Sequence, residues 1–375
     1  MTTTNEQWLP ASIKLSVAFS VFLILPSYLD SVSRLFERDL LSLSYLASIE
    51  LAGFAFATIL SFILSSYSSI KINERLTIMV LIVSQLASAW CDDLSLFAAL
   101  RLIAGLSAGL IAINSFESLA RQNNPDAAFA KAIATQMAYG AALLFGLPAL
   151  IDVLGLNAIF LVFSILSFGL LILPQTQERR RQSSPNTKQS DVSEDNRSFI
   201  IVGLVAIFLV MVSHSGTWSI LGLEASKLGI SAQNQGNILA TGTLFSIVGA
   251  LLANYFADFE NKRMIVIIAI VLQMFVIELM IDAKHTWQYV GSVCLFMLNW
   301  NFVLPYVIGA LARIDYSGQS LRFALALQTL GAAIGPSVIL ENWLETELQL
   351  LMLLSLLAVY PLFIKRHLQT GKARK

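Results

Sequence analysis

Phe199–Leu223 reads FIIVGLVAIFLVMVSHSGTWSILGL, without one Asp, Glu, Lys or Arg. About 20 mostly apolar residues let a helix cross the ~30 Å hydrocarbon layer of a bilayer. No water reaches the backbone there, so such a run closes its hydrogen bonds internally, as a helix. Val153–Gln177, Gly229–Ala257 and His285–Ala312 are equally free of charge. Working outward from these, with turn and charge clusters as boundaries, the sequence predicts twelve spans. They lie near 13–33, 43–65, 76–92, 95–119, 129–151, 155–175, 198–221, 234–256, 264–282, 287–311, 320–340 and 346–364. The connections leave no room for a soluble domain.

Composition points the same way. The 375 residues are 56% apolar and 13% charged, with a mean hydropathy of +0.72. Soluble domains have about 45–50% apolar and about 25% charged residues. Half the usual charge argues against a cytosolic enzyme or a disordered chain. With 24 basic and 24 acidic residues, no net charge recruits nucleic acid. The fold class expected is all-α and integral to the membrane. Cys91 and Cys294 form no paired motif, and His214, His285 and His367 are too scattered for a metal cluster, so no metal or cofactor is expected.

Lys and Arg orient the chain, because cytoplasmic loops carry an excess of them. With the N-terminus inside and twelve spans threaded, the inner loops hold nineteen, Lys14 among them, and the outer loops four. A shift of one span would scramble this asymmetry, so both termini are expected in the cytoplasm. The start, MTTTNE, lacks a basic region and a cleavage site, and reads as a short tail and not as a signal peptide.

The longest polar stretch, 175–198, falls midway with six spans on either side, and reads as a cytoplasmic linker. The expected organisation is an N-terminal bundle over 1–174, the linker, and a C-terminal bundle over 199–375. The halves echo one another. Ile70-Lys-Ile-Asn-Glu-Arg75 follows the second span, and Asp258-Phe-Glu-Asn-Lys-Arg263 follows the eighth, with Arg75 and Arg263 188 residues apart. Asn73 and Asn261 align, and each can adopt the left-handed conformation that a tight turn between helices requires.

On these residues the chain resembles the major facilitator superfamily over essentially its whole length. The family's loop after the second span carries a Gly-x-x-x-Asp-Arg-x-Gly-Arg-Arg-like pattern. The second copy here keeps it better, through Asp258, Asn261, Lys262 and Arg263. The first copy keeps Lys71, Asn73 and Arg75, with Ile70 in the Asp place. Arg101-Leu-Ile-Ala-Gly105-Leu-Ser-Ala-Gly109 is similar to the family's span 4 motif. Spacing of four puts Arg101, Gly105 and Gly109 on one helix face, where glycines admit a neighbouring helix. Gly331-Ala-Ala-Ile-Gly335-Pro336 in span 11 keeps the glycine spacing that marks span 5 of family exporters. Span 5 itself has Gly140, Gly146 and Pro148. The resemblance implies two six-helix bundles, a secondary transporter, and a cytoplasmic gate at Lys71, Arg75, Asp258 and Arg263.

An ionisable group inside a span is costly and marks function. Arg101 and Glu50 both lie ~9 Å below the expected outer boundary, at 1.5 Å per helical residue. Arg101 is therefore expected to pair with Glu50 first and Asp30 second. A carboxylate that lost its Arg partner could take a proton, which would couple transport to protons. Glu278 is read as interfacial. The resemblance implies that spans 1, 4, 7 and 10 line a cavity, and Asn114, Gln136, His214, Trp218, Asn299, Asn301 and Tyr306 are its candidate wall. Asn299 and Asn301 lie ~200° apart round a helix, which leaves one free to face a neighbour. Such a wall suits a small organic solute with an apolar or aromatic part.

No phosphate loop or His-Glu-x-x-His motif competes, so an enzyme is not expected. Asp92 and Asp93 read as solvated loop residues. The expected function is a proton-coupled secondary transporter of a small organic solute working by alternating access. It would act as a monomer in the plasma (inner) membrane. A transporter-fold sensor or other non-transporting membrane protein remains the alternative, and export versus uptake stays open.

Overall fold

A computed structural model describes residues 8–67, 73–122, 125–175, 194–256, 259, 261–314, 319–338 and 344–359. All regular structure among them is helical. The helices are α1 (Trp8–Ala18), α2 (Ser20–Leu23), α3 (Leu25–Leu35), α4 (Leu40–Tyr67), α5 (Glu74–Ala89), α6 (Leu94–Ala120), α7 (Pro125–Leu154) and α8 (Ala158–Gly169). After a short 3₁₀ turn they continue as α9 (Glu194–Lys227), α10 (Ala232–Tyr255), α11 (Lys262–Ile281), α12 (Thr286–Ile314), α13 (Gln319–Val338) and α14 (Leu344–Val359). Each of the twelve expected spans carries helix. Seven helices among the described residues are long and apolar enough to cross a membrane, and two shorter apolar stretches are Ala158–Ile172 and Leu348–Val359.

The first expected span is not one helix but three. Phe19 and Ile24 leave helical geometry, with φ/ψ of −90/8 and −117/24. Pro26 stands in the first turn of α3. Proline has no N–H to give and disfavours helical geometry in the residue before it, so a break just upstream is the relaxed solution.

The chain divides into two compact units. One is Met1–Arg179 with Trp218–Leu244, the other Arg180–Thr217 with Phe245–Lys375. Helices α9 and α10 are thus each divided between units. In the first unit, α4 and α6 approach at Gly105 and Gly109. A Cβ on Gly105 would overlap the Glu50 carbonyl, and one on Gly109 would stand 2.5 Å from Phe54 O. In the second unit, α13 meets α9 in the same manner. A Cβ on Gly331 would lie 2.7 Å from Phe208 O, and one on Gly335 2.7 Å from both Val212 O and Gly216 N. Pro336 follows inside α13.

Two sequence expectations are corrected here. Asn73 and Asn261 are not left-handed: their φ values are −72 and −99. Each instead caps a helix, accepting from the N–H of Leu76 and of Met264. A side-chain oxygen there satisfies one of the amides that a helix start leaves open. Asp93 caps α6 likewise, through Leu96 N at 2.7 Å. Lys14 is not a loop residue either. It is buried in α1, where Nζ donates to Glu74 Oε1 at 2.6 Å and to Pro174 O at 2.8 Å. Glu74→Gln should turn a charge-assisted bond to Lys14 into a neutral one and lower stability by about 1–2 kcal/mol. Thermal unfolding in detergent checks this, and a shift no larger than that of a surface control refutes it.

Candidate functional site

The Arg101–Gly105 spacing builds the site. Gly105 stands one turn beyond Arg101 and admits the α4 backbone at Glu50. Arg101 Nη1 then lies 3.4 Å from Glu50 Oε2, with Arg101 fully buried and the Glu50 side chain 6% exposed. The guanidinium has further partners on α5. Nη1 donates to Gln85 Oε1 at 2.9 Å, and Nη2 donates to Ser84 O at 3.1 Å and to Ser88 Oγ. Phe97 and Phe160 rings flank it, with centroids 5.4 and 5.0 Å from Cζ. Buried Tyr28 interacts electrostatically with both Glu50 and Arg101. The site is asymmetric. Arg101 keeps α5 acceptors and aromatic faces if Glu50 becomes neutral, whereas the only cation at Glu50 among the described residues is Arg101. A proton on Glu50 therefore does not strand the guanidinium.

The family model of the Major Facilitator Superfamily matches residues 11–336. The chain belongs to the major facilitator superfamily. It is a multi-pass membrane protein and a secondary transporter by family, not an enzyme. Solved structures with the same fold include the nucleoside transporter NupG in a mutant form, with TM-score 0.71 and 13% identity, covering 95% of this chain and 99% of that one. A D-xylose–proton symporter gives TM-score 0.70 at 16% identity, with 95% and 96% covered. The human organic anion transporter MFSD10 (TETRAN) gives 0.64 at 17%, with 95% and 97% covered. A search of the curated proteins gave no match.

Other sequence-derived candidates in this superfamily member fall in separate places. Asp30 does not reach Arg101. It bonds Arg34 one turn on, at 3.1 Å and partly exposed, because α3 presents that Arg at spacing four. Asn114 and Gln136 are half-buried in α6 and α7. In the second unit, His214 is buried between Trp300 and Phe296, with ring centroids at 4.9 and 5.7 Å. Its Nδ1–H donates to Val210 O at 2.6 Å. Nε2 is then the acceptor, and it has no partner among the described residues. Asn299 faces α11, spending its amide donors on Ala269 O and Gln273 Oε1, both at 2.7 Å. Asn301, on the other side of α12, is half-buried and reaches only Met297 O at 3.5 Å. Tyr306 Oη donates to Ala253 O at 3.0 Å and ties α12 to α10. Trp218 belongs to the first unit, where Nε1–H donates to Phe22 O at 2.9 Å.

Of the gate candidates, Lys71 and Asp258 lie outside the described residues. Arg75 and Arg263 each stand two residues after a capping Asn, Arg75 exposed and Arg263 half-buried. The same cap, an Asn side chain accepting from the N–H three residues on, occurs at both copies of the loop motif. The sequence reading missed Gln85, Ser84, Ser88, Tyr28, Phe97 and Phe160. One signal was available: Ser84, Gln85 and Ser88 form a polar strip in an otherwise apolar span, at spacings that share a helix face.

Proposed function

We propose that this transporter carries a small organic solute by alternating access and couples the movement to protons through Glu50 and Arg101. The observation that supports this best is the asymmetric pair. The carboxylate leans on one cation, while that cation is independently held by α5. A rearrangement that separated α4 from α6 would leave Glu50 as a lone buried carboxylate, which takes a proton in preference to keeping its charge. Proton loading would thus follow conformation, as coupling requires. In the second unit, His214 with its aromatic neighbours supports contact with a solute that has hydroxyl or N–H donors and a flat apolar face. The neighbours named for nucleosides, D-xylose and organic anions suggest the first compounds to try. The chain is proposed to work as a monomer in the plasma (inner) membrane, with both termini in the cytoplasm.

The test is a screen of nucleosides, pentoses and organic anions in proteoliposomes holding a pH-sensitive dye. Wild type should acidify or alkalinise the lumen with one of these classes, and Glu50→Gln should move solute without protons. Glu50→Gln moving protons with solute at the wild-type ratio would refute Glu50 as the coupling group.

A further inference from the structure

Phe160 and Phe97, the two walls of the Arg101 site, are also the two places where α3 takes hold of it. The Tyr28 ring meets Phe160 edge-on, with centroids 6.3 Å apart at 85°. Phe36, which closes α3, meets Phe97 at 5.0 Å and 72°. Helix α3 also packs against α4, the helix of Glu50. Tyr28 lies in the first turn of α3, just past the break at Ile24, and is fully buried. Its Oη has no hydrogen-bond partner among the described residues, and the charges that act on it are those of Glu50 and Arg101. The hydroxyls of α5 are already spent within their own helix, Ser84 on Leu81 O at 2.9 Å and Ser88 on Ser84 O at 2.7 Å. A buried O–H without an acceptor is costly and calls for an explanation. Glu50 offers one. Its bond to Arg101 is 3.4 Å long, where charged pairs usually close to about 2.7–2.9 Å. A carboxylate also has room for several donors.

We propose that Tyr28 is the positioning residue of the proton step: its O–H closes on the Glu50 carboxylate as a second donor, delivered by α3 independently of Arg101 on α6. This rests on the reading in which Glu50 carries the proton. With Arg101 as its sole donor, a Glu50 parted from it would take a proton and keep it. A donor that favours the ion makes the proton easier to give up. A neutral O–H on a separate helix does so without adding a charge, so the proton can leave again. The phenol oxygen can also accept from the protonated acid, but the bond to the ion is the stronger of the two. The net effect therefore favours charged Glu50. Arg101 from α6 and Tyr28 from α3 are the titratable groups acting on Glu50 among the described residues. Helix α5 offers the site the neutral Gln85, Ser84 and Ser88. The break at Ile24 means that Tyr28 rides on a segment not continuous with the rest of its span.

Infrared titration of the purified full-length protein in liposomes tests it, following the carboxylic-acid C=O band that Glu50→Gln removes. Tyr28→Phe keeps the ring on Phe160 and deletes the O–H. The pH at which the Glu50 band reaches half its height should rise by about one unit or more, a tenfold or larger change in proton binding. The pH profile of coupled flux should move to alkaline pH by a similar amount. In the Glu50→Gln background, Tyr28→Phe should leave the pH profile of solute flux within about 0.3 unit of Glu50→Gln alone. A midpoint that stays or falls, a shift that persists without Glu50, or a wild type in which no Glu50 band titrates overturns the assignment. Should Tyr28→Phe fail to fold, wild type with ring-deuterated tyrosine decides. One tyrosine band should then titrate at the Glu50 midpoint and stop doing so in Glu50→Gln, and the lack of such a band overturns the assignment. A protein that titrates as expected but moves no protons with solute refutes the transport reading and leaves Tyr28 standing as the donor to Glu50.

Discussion

Arg101→Ala should abolish coupled transport and lower stability by about 3–5 kcal/mol, because it leaves the Glu50 carboxylate buried without a counter-charge. It also empties the space between Phe97 and Phe160 and takes the donor from Gln85 and Ser88. Thermal unfolding in detergent and flux in liposomes measure the two effects. Adding Glu50→Gln should restore most of the stability, since no charge is then stranded, and should restore no coupling. Arg101→Lys should recover folding only in part. A single ammonium cannot span Glu50, Gln85 and the Ser84 carbonyl as the guanidinium fork does. An Arg101→Ala protein as stable as wild type would mean that Glu50 is already neutral in the resting state, and the coupling proposal would have to start from a protonated carboxyl.

Gly105→Ala should be the next most damaging change relative to its size. The added methyl has to displace the Glu50 backbone itself, and backbone cannot swing aside as a long side chain can. Overpacking of this kind costs about 1–3 kcal/mol. The larger effect should be on activity, because α4 moves away from α6 at the residue that pairs with Arg101, and coupled flux is expected to fall about tenfold or more. Gly146→Ala is the control. No atom lies within 4 Å of the place its Cβ would take, so it should be neutral or stabilise by up to about 1 kcal/mol through helix propensity. If both substitutions behave alike in unfolding and in flux, the close approach of α4 and α6 has no part in the site.

Much of the site was legible in the sequence because membrane burial makes a few signals loud. An Arg in an apolar run, with glycines four and eight residues on, announces a charge and the helix that must come close to neutralise it. Glu50 stands at the matching depth and was named for that reason. Asp30 was named on depth alone, and depth does not tell which way round the helix a carboxylate points; Arg34, one turn away, takes it. The capping role of Asn73 and Asn261 was misread, since the same residue type serves a left-handed turn and a helix start. Only the backbone course separates them.

The sequence by itself determined what the lipid demands: all-helical structure, where the helices run, the superfamily, and the Arg101–Gly105–Gly109 face. Those follow from the cost of unsatisfied backbone and charge in hydrocarbon, which any stretch of chain meets alone. The tertiary structure decided the partners. It gave Gln85 and Ser88 to Arg101, turned Asn299 to α11, sank Lys14 onto Glu74, and placed Trp218 on a carbonyl 196 residues away. A hydrogen bond is chosen among whatever neighbours packing supplies. Those neighbours come from helices far apart in the chain, so no window of sequence contains the choice.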